Sequence, residues 1–180
     1  DAVIKVARDL GVTAPLTEDL SLALGTSEIP LIELAEAYAA VAAGSYPVVA
    51  HGLPPENEGW FARLMQRQRR FSENHLAMIR DLLSSAANRG TGSAAALRTS
   101  TFGKTGTTQD SRDAIFVGYA GGLVTAVWIG NDDNSPLPGG AAGGGVPARI
   151  WRNFMGGAIN EPVEDAPEET QDADLVNAIA

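Results

Sequence analysis

The chain has 180 residues, is 44% hydrophobic, lacks cysteine and carries a formal charge of −9. That length allows one domain with a substantial core. The missing cysteines exclude disulfides, thiolate catalysis and cysteine-bound metal. Much of the charge is local. Glu161, Glu164, Asp165, Glu168, Glu169, Asp172 and Asp174 follow one another without a base, and setting those seven aside leaves −2 for the rest. The expectation is a near-neutral body over residues 1–160 and an acidic, disordered tail over 161–180. Neither part has the electrostatic footprint of a nucleic-acid binder. Arg63, Arg67, Arg69 and Arg70 form one basic cluster that reads as a solvated helix face or loop. No apolar run is long enough to span a bilayer.

Residues 1–10 read as a helix, with Val3, Val6, Ala7 and Leu10 on one face and Gly11 as its stop. The chain opens abruptly inside this element, so it is expected to be a piece of a longer protein. A loop to Thr26 precedes a stronger helix in "SEIPLIELAEAYAAVAAG". There Ser27 is the expected cap, Pro30 suits the first turn, Leu31, Leu34, Ala35, Tyr38 and Ala42 form the apolar stripe, and Gly44 ends it. "YPVVAHG" reads as a short strand and residues 52–60 as loop. A further helix follows, capped by Ser72, with Leu76, Ile79, Leu83 and Ala86 inward and Gly90 as stop. After a connector the pattern changes to strands: "RTSTFGKTGT", "DAIFVGYA" and "LVTAVWIGN". The last two form an expected hairpin about Gly121-Gly122. A Gly- and Pro-rich loop over 135–146 leads to a final helix with Ile150, Phe154 and Ile159 inward. Trp128, Trp151 and Phe154 read as core. Helices, then strands, then a helix give a mixed α+β fold with a mostly antiparallel sheet, not a βαβ repeat.

The stretch "TSTFGKTGTTQD" holds Lys104, one of only two lysines. A phosphate-binding loop would need a glycine where Arg98 stands and a helix after the lysine. Turn and strand signals follow instead. The remaining readings are an edge strand beside a cleft and a plain threonine-rich edge strand with an exposed lysine. An edge strand offers free N–H and C=O groups to an extended peptide. Lys104 would bring positive charge for a carboxylate, Thr105 and Thr107 hydroxyls for the same oxygens, and Gly106 the absence of a side chain that would fill the cleft. The N–H of Thr107 could meet a developing oxyanion.

The surrounding residues decide between these. "FGKTGTTQDSRDAIFVGYAGGLVTAVWIGNDDN" resembles the transpeptidase domain of class A penicillin-binding proteins, of the penicillin-recognising serine enzyme superfamily. The matching elements are Lys104 to Thr108, Asp110 to Ala114, Phe116 to Tyr119 and Trp128 to Asp132. Residues 20–48 and 89–95 ("RGTGSAA") are similar to further blocks of that family, in the same order, so the resemblance covers about residues 1–158. Two departures are Ile115, where the family usually has tryptophan, and the short region 52–70.

The resemblance implies a β-lactamase/transpeptidase-like fold, an antiparallel sheet flanked by helices, present here as a partial domain. It implies a D,D-transpeptidase that attacks peptidoglycan stem peptides ending in D-Ala-D-Ala through a serine, and that is acylated by β-lactam antibiotics. In that setting Lys104, Thr105, Gly106, Thr107 and Thr108 bind substrate, and Lys104 and the Thr107 N–H serve catalysis. No cofactor or metal is implied. The parent would stand at the outer, periplasmic face of the cytoplasmic membrane, anchored by an upstream segment and joined to an upstream glycosyltransferase.

The family's nucleophile motif, Ser-x-x-Lys, is missing. Three residues before Lys5 and Lys104 stand Ala2 and Thr101. Thr101 and Lys104 have the spacing, but a strand does not bring them together as a helical turn does. Ser72-Glu73-Asn74 matches the second motif, Ser-x-Asn, yet sits where a helix cap is expected. The true motif should lie upstream of Asp1, in the missing N-terminal half of the domain. The chain alone is therefore expected to be inactive and to expose apolar surface that its other half would cover. A non-catalytic module that binds cell-wall peptide or a partner, and a serine β-lactamase relative, are the other readings. His51 and His75 fit no metal or triad pattern. Asp110 and Asp113 could be a glycosidase's acids, but Arg112 and Asp113 more plainly hold the turn after the active strand.

Overall fold

A computed structural model describes residues 2–25, 27–52 and 68–161. They fall into two compact units, Asp1–Arg80 and Asp81–Ala180. The region 53–67, with Arg63 and Arg67, and the tail from 162 lie outside the described residues.

The first unit opens with helix α1 (Ala2–Asp9). Asp19 then caps a short 3-10 turn at Leu20–Leu24, its carboxylate accepting from Ser21 N at 2.7 Å. Helix α2 (Leu31–Ala43) ends at Gly44, whose φ of 72° lets its N–H return to Ala40 and Val41. The expected cap, Ser27, does not cap it. Its Oγ accepts from Thr17 N at 3.0 Å, and Pro30 holds the N-cap position without a side-chain bond. Proline keeps the residue before it, Ile29, out of helical conformation, so the helix cannot begin early enough for Ser27 to cap it. Within α2 the buried residues are Ala40 and Val41; Leu34, Ala35, Tyr38 and Ala42 are half-buried and Leu31 is exposed. The expected strand at "YPVVAHG" reduces to β1 (Ser45–Tyr46), because Pro47 has no N–H to extend a ladder. β1 pairs antiparallel with β2 (Arg69–Arg70), so those two arginines lie on a strand, not on a helix face or loop. Arg69 lies over the Tyr46 ring at 5.4 Å and bonds Asp9 at 3.0 Å.

Helix α3 (Glu73–Asn88) carries the chain into the second unit. Ser72 caps it as expected, its Oγ accepting from His75 N at 3.3 Å. Three strands follow: β3 (Phe102–Thr107), β4 (Asp113–Ala120) and β5 (Leu123–Gly130). They form one antiparallel sheet in the order β3-β4-β5. The β4–β5 hairpin turns on Gly121 and Gly122, at φ 56° and 82°. A two-residue turn of this hand needs positive φ at both positions, which explains the paired glycines.

Helix α4 (Val146–Ala158), with Pro147 in its first turn, lies on one face of the sheet. The core between them holds Ala87, Ala95, Phe116, Ala120, Ala148, Trp151 and Met155. Phe116 and Trp151 meet edge to face, with centroids 5.2 Å apart. The buried indole N–H is satisfied by Thr125 O at 3.0 Å. Trp151 is inside as expected, but two other residues of α4 expected there are not: Ile150 is 45% and Phe154 59% exposed. The helix turns its Pro147, Trp151, Met155 row inward instead, which seats the largest side chain against Phe116. Ile159 does pack on this core, but Trp128 is 45% exposed on β5. Among the described residues no helix is long and apolar enough to cross a membrane.

Candidate active site

β3 pairs with β4 on one side and has no partner on its other side among the described residues. Backbone groups alternate in direction along an antiparallel strand. The pair just beyond the ladder, Thr108 and Asp113, is hydrogen-bonded, with Thr108 N donating to Asp113 O at 3.0 Å. Counting back two at a time, Gly106 and Lys104 face β4. Thr105 and Thr107 therefore turn their N–H and C=O groups to the open edge. Lys104 folds round to that edge: its Nζ donates to Thr105 O at 2.9 Å and reaches Thr105 Oγ1 at 3.4 Å. An exposed ammonium thus stands beside a strand edge that has no partner among the described residues.

The two threonine hydroxyls on β3 are held from behind. Thr105 Oγ1 lies 2.8 Å from Thr91 Oγ1, and Thr107 Oγ1 accepts from Gly143 N at 3.1 Å. Gly143 is wedged against the strand. A Cβ on it would fall 2.5 Å from Gly106 O and 2.2 Å from Ile115 O, so only glycine allows this approach. A Cβ on Gly106 would meet nothing closer than Ile115 Cβ at 3.6 Å, an ordinary contact, so packing among the described residues does not require a glycine there. Thr108 is drawn into the turn, its Oγ1 accepting from Asp113 N at 2.7 Å. It is the one expected binding residue whose hydroxyl is spent on local structure.

The turn after β3 is held by the residues that were expected to hold it. Asp110 and Ser111 take left-handed conformations, φ 61° and 52°. Arg112 donates to Asn134 O at 2.6 Å and Asp113 accepts from the Trp128 indole at 2.9 Å. Asp113 is thereby committed to structure, which removes the reading of a paired acid. Thr101 is wholly buried, accepting from Leu97 N and donating to Thr99 O, while Lys104 is exposed. The two do not form a nucleophile–base pair. Ser72 is occupied as a helix cap. Among the described residues no three His, Asp or Glu side chains gather in metal-binding geometry.

Sequence reasoning missed Thr91 and Gly143. Both signals were present, in "RGTGSAA" and in the glycine run 143–145, but only the folded chain brings them to β3.

Residues 12–156 match the family described as penicillin binding protein transpeptidase domain. The chain is 33% identical over 151 residues to penicillin-binding protein 1A of Neisseria gonorrhoeae, covering 78% of this chain and 19% of that protein. It is 41% identical over 86 residues to penicillin-binding protein 1A of Pseudomonas aeruginosa, covering 47% of this chain and 10% of the relative. The chain thus spans about a fifth of the length of the curated relatives it matches. Its fold is similar to the crystal structure of penicillin-binding protein 1A from Haemophilus influenzae, with a TM-score of 0.60 at 24% identity, over 85% of this chain and 30% of that one.

Proposed function

Since this chain belongs to the penicillin-binding protein transpeptidase domain family, we propose that β3 is one wall of the acylation site of a peptidoglycan D,D-transpeptidase. The observation that carries this is the open edge of β3 with the Lys104 ammonium beside it. A stem peptide ending in D-Ala-D-Ala lies along that edge as an added strand. Lys104 and the hydroxyls of Thr105 and Thr107 receive its terminal carboxylate. The Thr107 N–H, directed away from β4, donates to the carbonyl oxygen as it becomes an oxyanion. One such donor is worth about 3 kcal/mol in the transition state.

The nucleophile is a serine supplied from outside these 180 residues, together with its lysine base. Its Oγ attacks the penultimate D-alanyl carbonyl, its proton passes to the base, and the amide bond breaks. D-Alanine leaves with a proton on its nitrogen, and an ester remains on the serine. An amine of a second strand then takes the acyl group. A β-lactam enters in the same orientation and opens its ring instead of losing an amine. The reaction belongs at the outer face of the cytoplasmic membrane, where the full protein is held by an upstream anchor and accompanied by a glycosyltransferase domain.

Covalent labelling of the full-length gene product by a fluorescent penicillin tests the proposal. Labelling that survives denaturation and falls by about two orders of magnitude in Lys104→Met supports it. A full-length protein that never labels supports a non-catalytic binding module, and rapid turnover of the label supports a β-lactamase.

A further inference from the structure

We infer that Thr91 is a positioning residue for this site: its hydroxyl fixes the Thr105 hydroxyl as a hydrogen-bond donor to the ligand's carboxylate. The inference rests on the reading of β3 given under Proposed function. It starts from donor counting. A threonine hydroxyl has one hydrogen and two lone pairs, and an ammonium can only donate. Lys104 Nζ lies 3.4 Å from Thr105 Oγ1 and so takes one lone pair. Thr91 Oγ1 lies 2.8 Å away, in a bond where either hydroxyl can donate; with Thr91 assigned as the donor, it takes the other lone pair. What remains on Thr105 is its hydrogen, free to point at an acceptor. Thr107 repeats the arrangement, since Gly143 N donates to its Oγ1 at 3.1 Å and leaves its hydrogen free as well. Two hydroxyls offered as donors beside an ammonium suit a carboxylate, which only accepts.

The support behind both hydroxyls is continuous. Thr91 rests on Gly144, where a Cβ would fall 2.0 Å from Thr91 O. The preceding residue, Gly143, is the one that donates to Thr107 and lies against Gly106. One glycine run therefore seats Thr91 and Thr107 together.

The test uses the full-length protein and two probes, a fluorescent penicillin and its methyl ester, whose acylation rate constants are read by gel. Thr91→Val keeps the shape and removes the hydroxyl. It should lower the rate ratio of acid to ester about five-fold, the size of one unaligned hydrogen bond, while Thr91→Ser restores the ratio. Gly144→Ala, which pushes on the Thr91 carbonyl and brings its Cβ to 3.7 Å from Thr105 Cγ2, should lower the ratio in the same direction. Equal slowing of both probes in Thr91→Val would mark Thr91 as merely structural and overturn the inference. So would an unchanged ratio while Lys104→Met is crippled, which leaves the site reading intact. If Lys104→Met acylates like the parent protein, the site reading fails and the inference with it.

Discussion

The two units differ in how they satisfy their apolar residues. In the second, β4 and α4 enclose Phe116, Trp151 and Met155 completely. In the first, the buried apolar side chains are Val12, Ala40 and Val41, while Val3, Val6, Leu20, Ile32, Val49 and Met78 are exposed among the described residues. The first unit is tied instead by polar contacts between loops and helices: Glu33 to the Thr13 and Ala14 N–H groups, and Glu36 to Ala50 N. A site that must align a strand edge to within a fraction of an ångström belongs on the element with its own packed core. Here Lys104, Thr105 and Thr107 are on it.

Substitutions can break or sharpen this contrast. Trp151→Ala should have the largest effect, costing about 3–5 kcal/mol in urea unfolding, because it opens a cavity under Phe116 and removes the indole bond to Thr125 O. Val3→Ala and Val6→Ala in the first unit should stay within about 0.5 kcal/mol. Equal losses in the two units would erase the contrast. Lys104→Met should come next, with acylation of the full-length protein down about 100-fold and no shift in the unfolding midpoint; a lowered midpoint would mean that the lysine is structural. Trp128→Phe should cost about 1 kcal/mol, the indole bond to Asp113. Glu33 supplies a pH test. The Thr13 hydroxyl, with the N–H groups of Thr13 and Ala14, holds its carboxyl below the usual range. The folded pKa is thus the lower one, so its contribution is full above the unfolded value and disappears as pH falls through the folded one. Glu33→Gln should flatten the acid limb of the stability profile of the first unit, and an unaltered limb would refute this. The smallest effect belongs to Ile150→Ser, within about 0.5 kcal/mol despite its hydrophobic side chain, since it faces outward; a cost above 2 kcal/mol would put it back in the core.

The same contrast governs what could be read from the sequence. The β4–β5 hairpin was legible because β-branched and aromatic runs flank two glycines. That Lys104, Thr105 and Thr107 share one strand was legible because they lie within four successive residues of an extended pattern. The inward face of α4 was legible only at Trp151. A row through Ile150 and Phe154 and one through Trp151 and Met155 differ by a single position, and the shape of the space beside Phe116 makes the choice. Ser27 was misread because a good capping residue is overruled by a proline three positions later. Thr91 and Gly143 were hidden because neither is near Lys104 in sequence. Loop geometry, which no periodicity encodes, carries them there.

The open edge of β3 has a consequence for the protein's behaviour in solution. A strand edge with no ladder partner among the described residues is a template for a second copy of itself. The exposure is limited to the outward groups of a six-residue strand, and the left-handed pair Asp110-Ser111 ends it. Beside that short row stands the positive charge of Lys104. Like charges would meet if two such edges approached antiparallel, so the exposed Lys104 disfavours pairing of the edge with its own copy.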